Sequence, residues 1–61
     1  MRFEVFKSGS TVLSQKWYWR LIASNGEPIA SSGEGYYSKD DCIHGIGLVK
    51  GTNAMTPVIE I

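Results

Sequence analysis

Lys16-Trp17-Tyr18-Trp19-Arg20-Leu21-Ile22-Ala23-Ser24, followed at once by Asn25-Gly26, decides the fold. Aromatic and branched side chains suit a pleated, half-buried surface, so residues 16–24 read as a strand. Its period of two puts Trp17, Trp19, Leu21 and Ala23 on one face and Tyr18, Arg20, Ile22 and Ser24 on the other. The face with both tryptophans is the expected core. Asn-Gly supplies the two positive φ angles of a type I′ turn, so the strand is expected to fold back as a hairpin onto residues 27–33. Pro28 has no amide hydrogen and belongs at the start of that second strand, or with its nitrogen turned away from the ladder.

Toward the N-terminus, residues 2–7 place Phe3 and Val5 on one side and Glu4 and Phe6 on the other, which predicts another strand. Ser8-Gly9-Ser10 forms a turn, and the loop that runs on to Gln15 holds two apolar residues, Val12 and Leu13, placed to extend a strand end. Toward the C-terminus, the glycines of Ser32-Gly33-Glu34-Gly35-Tyr36 permit a bulge or tight bend. Ser38 is a good N-cap, at capping-box spacing from Asp41, and Asp40 and Asp41 face the positive end of a helix dipole. Cys42, Ile46 and Val49, with Ile43 beside them, make one apolar stripe on a helix of about three turns. Lys50 and Gly51 close it. Gly45 and Gly47 each weaken a helix by roughly 1 kcal/mol relative to Ala. Either they permit close approach of the helix to the sheet or a partner, the preferred reading, or they mark a loosely held helix. Thr52-Asn53-Ala54 is a linker to an apolar terminal strand, Pro57-Val58-Ile59-Glu60-Ile61, which frays unless sheet pairing holds it.

The pattern is α+β, a β-β-β-α-β unit with one helix on an antiparallel sheet, in a single domain over residues 1–61. A domain of this size buries only about 60% of the surface its unfolded chain exposes. One Cys allows no internal disulfide, and the Cys and His count is too small for a structural zinc site. A small domain without staples gains burial by oligomerising, so a homodimer is the expected state. Six basic residues balance six acidic ones, so no net field draws nucleic acid or an anionic membrane. The alternating start is neither a signal peptide nor a membrane span, and with a free Cys42 the expected location is cytoplasmic.

Three segments carry a family resemblance: Phe3-Glu4-Val5-Phe6-Lys7; Trp17-Tyr18-Trp19-Arg20-Leu21 leading into Asn25-Gly26; and Ile29-Ala30-Ser31-Ser32-Gly33-Glu34-Gly35-Tyr36 with Ser38-Lys39. Gly45-Ile46 and Val49-Lys50 fit as well. Together they resemble the YegP-like family, a bacterial group of unknown function, over nearly the whole chain. The resemblance implies a three-strand, helix, strand unit that occurs as tandem repeats or as a homodimer, two units sharing a sheet and exchanging C-terminal strands. This chain carries one copy, so the two-fold must come from two chains. Phe6, where a tyrosine is common, and the long 8–15 loop, where a compact turn is usual, depart from the family pattern. The resemblance brings no catalytic residues.

The chemistry-bearing residues also have structural readings. Cys42 and His44 lie two apart on a helix and point in different directions, so they read as a core thiol and a solvated imidazole rather than a nucleophile and base. Asp40 and Asp41 read as dipole partners rather than paired acids. Gly33, Glu34, Gly35 and Tyr36 form a candidate loop site, because glycines before a helix can present amides to an anion. The loop lacks the P-loop and dinucleotide patterns, and Glu34 would repel phosphate, so a bend with Tyr36 packed over it is preferred. Phe6, Tyr18, Arg20 and Ile22 form a candidate partner surface on the face away from the core. It would either be buried in a dimer or protein contact, or stack unpaired bases with Arg20 and Lys16 on phosphates.

No acid, base and nucleophile converge, which predicts a non-catalytic homodimeric module with a structural, regulatory or protein-binding role, without cofactor or metal. A nucleic-acid-binding module and a small-molecule site at the dimer seam are the alternatives. The sequence identifies no pathway, ligand or protein partner.

Overall fold

The computed structural model describes all of residues 1–61. Strand β1 (Arg2–Ser8), strand β2 (Lys16–Ile22) and strand β3 (Pro28–Ser31) form one antiparallel sheet in the order β1-β2-β3, and helix α1 (Lys39–Lys50) packs across it. The architecture is α+β. The β1–β2 register runs from Arg2↔Ile22 to Ser8↔Lys16, setting Phe3 opposite Leu21 and Val5 opposite Trp19. Those four side chains share the face under the helix, as their alternation requires.

The core is small. Trp19, Cys42 and Ile46 are buried, with Phe3, Val5, Trp17, Leu21, Tyr36 and Val49 partly buried around them. Phe3 meets Trp19 edge-on, with ring centroids 5.6 Å apart and planes at 75°, the arrangement that the ring quadrupoles favour. Helix α1 begins as its sequence requires: Ser38 Oγ accepts from the Asp41 amide at 3.0 Å, and Asp40 and Asp41 occupy the first turn with Lys50 in the last. The two helix glycines differ. A Cβ at Gly45 would lie 2.6 Å from Tyr36 Oη and 3.5 Å from Trp19 Nε1, whereas one at Gly47 would meet nothing within 4 Å. Close approach explains Gly45 alone.

The connections depart from expectation in three places. The hairpin turn is not type I′, because no residue other than glycine has a positive φ. The loop is Ser24-Asn25-Gly26, closed by Gly26 N–H to Ala23 O (2.9 Å) and Ala23 N–H to Glu27 O (2.8 Å), with Gly26 at φ +87°. Asn25 Oδ1 accepts from the Glu27 amide, holding Asn25 in an ordinary conformation and leaving the left-handed one to glycine, as three-residue hairpin loops do. The register shifts between Leu21↔Ala30 and Ile22↔Pro28, and the last strand of the sheet is Pro28–Ser31 rather than 27–33. Val12 and Leu13 do not extend a strand: they lie in a 3-10 turn, Val12–Ser14, capped by Thr11, and are exposed.

The C-terminal segment pairs with nothing in its own chain. After α1, Thr52 Oγ1 donates to Val49 O, Met55 N–H to Asn53 Oδ1, and Asn53 N–H to Thr56 Oγ1. This polar turn leads residues 57–61 away from the sheet, without a backbone hydrogen bond. Val58, Ile59 and Ile61 are exposed, and the fourth strand read from the sequence is not formed within the single chain.

Candidate functional site

The candidate residues fall in three regions: the uncovered face of the sheet, the loop before α1, and the lysine–aromatic contacts beside the ends of β1 and β2.

On the uncovered face, the register sets Phe6 opposite Tyr18 and Glu4 opposite Arg20. The Phe6 and Tyr18 rings stack at 5.8 Å with planes at 21°, and the Arg20 guanidinium lies 5.1 Å from the Phe6 centroid. Arg20 Nε also donates to Glu4 Oε1 at 2.7 Å, and Arg2 pairs with the other carboxylate oxygen at 3.0 Å. The hydrogen bond from Arg20, then that from Arg2, holds the Glu4 carboxyl below its usual 4.5. Three of the four residues of the predicted partner surface are therefore assembled, with the cationic member already paired. Ile22, the fourth, is only 4% exposed. It lies at the register shift, a bulge that bends the strand locally, and is withdrawn from the surface on which alternation placed it.

The loop site is a bend. Gly33 takes φ +76°, and Ser32 Oγ donates to Glu34 O at 2.9 Å. Tyr36 and Trp17 exchange backbone hydrogen bonds of 2.8 Å in both directions. The Tyr36 ring runs back to Gly45 of α1, so this segment ties helix to sheet. Gly35 passes so close to Lys16 that a Cβ there would lie 2.6 Å from Lys16 Cβ.

The lysine–aromatic contacts are not visible in the sequence. Lys7 lies opposite Trp17 on β1, with its ammonium 5.2 Å from the Trp17 ring centroid, and Lys39 Nζ is 5.6 Å from the same centroid. Lys16 Nζ is 4.9 Å from the ring centroid of Tyr37. The Lys7–Trp17 pair depends on the β1–β2 register, which the long 8–15 loop does not fix in the sequence, and the Tyr36 bridge that brings in Lys39 leaves no mark there either.

The titratable helix residues do not converge. Cys42 is fully buried, and burial pushes its thiol above its usual 9.0; His44 is exposed. Trp19 Nε1 is a buried donor without an acceptor, beside Gly45. No group of three His, Cys, Asp or Glu side chains is placed to hold a metal ion, and no helix is long and apolar enough to cross a membrane. At the C-terminal end of α1, an open groove of about 550 Å³ is lined by Phe3, Leu21 and Val49, with Arg2 and Lys50 at its rim.

Residues 14–60 match the family described as a domain of unknown function, DUF1508. A UPF0339 protein of Neisseria meningitidis serogroup B is 46% identical over 61 residues, covering all of both chains. A UPF0339 protein of Treponema denticola is 40% identical over 60 residues, covering 98% of this chain and 95% of its own. These matches agree with the resemblance to the YegP-like family of small bacterial proteins, and none of their descriptions assigns an activity.

Proposed function

The chain belongs to the DUF1508 family, and from that premise we propose that it works as a homodimeric, non-catalytic interaction module whose C-terminal strands exchange between protomers. The observation that carries this reading is the excess of surface. The single chain exposes 5016 Å², whereas a compact monomer of 6.7 kDa exposes about 3,900 Å². Its radius of gyration is 13.3 Å, against about 10.5 Å for a compact domain of this length. The difference in surface, roughly 1,100 Å², is of the size that one partner buries in a stable protein interface, about 800 Å².

The position of that excess supports exchange in particular. Ile59 and Ile61 flank Glu60, with Val58 next to Ile59, on a segment with no pairing of its own. The outer edges of β1 and β3 are open, and an extended segment adds to such an edge by main-chain hydrogen bonds. Fraying of a five-residue apolar strand in water is the alternative, and it leaves those side chains unburied.

Protein contact is the reading favoured for the uncovered face. Phe6, Tyr18 and Arg20 form a preassembled aromatic patch with its charge compensated by Glu4. Tyrosine and arginine held in this way are the residue types that dominate protein interfaces, whereas an arginine already paired has less to offer a phosphate. A catalytic reading lacks support: the thiol of Cys42 is buried and kept neutral, and no base lies beside it.

Light scattering on the full chain and on a variant ending at Met55 tests the proposal. The full chain should have a mass of about 13 kDa, twice its 6.7 kDa, and the shortened chain should lose the dimer. A monomeric full chain contradicts the dimer. A shortened chain that remains a dimer with an unchanged unfolding midpoint contradicts exchange and leaves docking of whole units.

A further inference from the structure

Helix α1 leaves one end of the sheet uncovered. There an open groove of about 550 Å³ lies between the first residues of β1 and the last turn of the helix, floored by Phe3, Leu21 and Val49. All three are only partly buried, at the margin of the Trp19 core. Lys50 reaches over this floor, its ammonium 5.9 Å from the Phe3 ring centroid. Arg2, also at the rim, gives its Nε and one terminal nitrogen to Glu4 and keeps the remaining donors of its guanidinium. Thr52 lines the groove as well, yet no later residue of the chain does.

We propose that the C-terminal segment of a second copy fills this groove, laid along the outer edge of β1 with Ile59 and Ile61 on the apolar floor and Glu60 turned to Arg2. The proposal rests on the homodimeric reading above and adds to it the edge, the face and the side chains that meet. Both outer edges of the sheet are open, but they are not equal. Strand β3 has four residues and begins at Pro28, which has no amide hydrogen to donate, whereas β1 has seven residues and no proline. The face follows from the period of two, which puts Ile59 and Ile61 on one side of an extended segment and Val58 and Glu60 on the other. Phe3 faces the helix, while Arg2 and Glu4 face the open side. A segment that sends both isoleucines beneath the end of α1 therefore brings Glu60 to the side of Arg2. The apolar pair meets the apolar floor, and the carboxylate meets a cation with donors to spare. Lys50 then covers the isoleucines with its stem and keeps its ammonium in water.

The test is an isotope-filtered NOE experiment on a dimer assembled from equal amounts of carbon-13-labelled and unlabelled full chain, which reports only contacts between chains. Contacts are expected from the methyl groups of Ile59 and Ile61 to the Phe3 ring and the Val49 methyls. In parallel, Ile59→Ser and Ile61→Ser should each raise the dissociation constant of the dimer at least about 10-fold. Glu60→Gln should raise it about 2- to 5-fold, and Val58→Ser should leave it within roughly 2-fold. A monomeric full chain overturns this proposal together with the homodimeric reading. A dimer in which the isoleucines contact β3, or make no contact with Phe3 and Val49, overturns the groove alone and leaves that reading standing. The same contacts seen in uniformly labelled chain but missing from the mixed sample would mean that each tail fills its own groove, and also overturn it. A Val58→Ser loss equal to that of Ile59→Ser would contradict the assigned face.

Discussion

The stripe of α1 and the C-terminal tail are both short apolar runs, and they meet opposite fates. Cys42 and Ile46, with Val49 beside them, close over Trp19 and Phe3, while Val58, Ile59 and Ile61 stand in solvent. The difference lies in what precedes each run. Ser38, Asp40 and Asp41 start a helix that the Trp17–Tyr36 bridge has already aimed across the sheet, whereas the hydrogen-bonded turn at 53–56 aims the tail outward. One helix covers one face of three strands, and four residues of the chain are buried in all. The tail carries apolar surface that the core of its own chain does not cover, which is the surface the proposed second chain would bury.

The comparison predicts unlike responses to like substitutions. Ile46→Ala should destabilise the protein by about 2–5 kcal/mol at every concentration, because it opens a cavity in the only core the chain has. Ile59→Ala should lower the unfolding midpoint only where the dimer is populated, and should instead raise the concentration at which the dimer dissociates. Urea unfolding of both variants across a hundredfold range of protein concentration separates the two. Equal, concentration-independent losses would mean that the tail packs within its own chain.

The helix glycines sharpen the same contrast between the covered and open sides of α1. Gly45→Ala should destabilise by about 1–3 kcal/mol, since its Cβ would press on Tyr36 and displace the ring that ties helix to sheet. Gly47→Ala has open space and should stabilise by roughly 1 kcal/mol through helix propensity. Thermal unfolding of the two single variants reads the opposite signs directly.

The smallest effect is on the uncovered face. Glu4 has its folded pKa lowered by Arg20 and Arg2. Its contribution is therefore present above the unfolded value near 4.5 and is lost as pH falls through the lower folded value. Arg20→Gln should flatten the stability profile in that acid window and leave it unchanged near neutrality apart from a small offset, as expected for an exposed pair. An acid limb identical in both proteins would show that the pair does not act on stability.

How far the sequence could be read follows from how local each determinant is. The period of two in β2, the Ser38 cap and the stripe through Cys42, Ile46 and Val49 are local and take their predicted places, although β2 ends at Ile22 rather than at Ser24 and Ile43, read with the stripe, is exposed. The turn at Asn25-Gly26 was readable as a turn but not in its type, because the Asn25 side chain satisfies the Glu27 amide and adds a third residue to the loop. Ile22 was assigned to the open face, where strict alternation puts it; the register shift beside it is invisible without the partner strand. The contacts of Lys7 and Lys39 with Trp17 depend on a register and a backbone bridge joining residues far apart in the chain, so no local pattern marks them. For the partner surface, the stacking of Phe6 on Tyr18 was legible from alternation, but the pairing of Arg20 with Glu4 required knowing which residues face each other.

The most direct test of the central claim is the solution mass of the full chain by light scattering through a dilution series, with the unfolding midpoint recorded at each concentration. The two-chain account predicts a mass of about 13 kDa that halves on dilution, and a midpoint that rises with concentration by mass action. A stable particle of 6.7 kDa with a concentration-independent midpoint would contradict it, and would mean that four buried residues and one helix suffice to hold this fold.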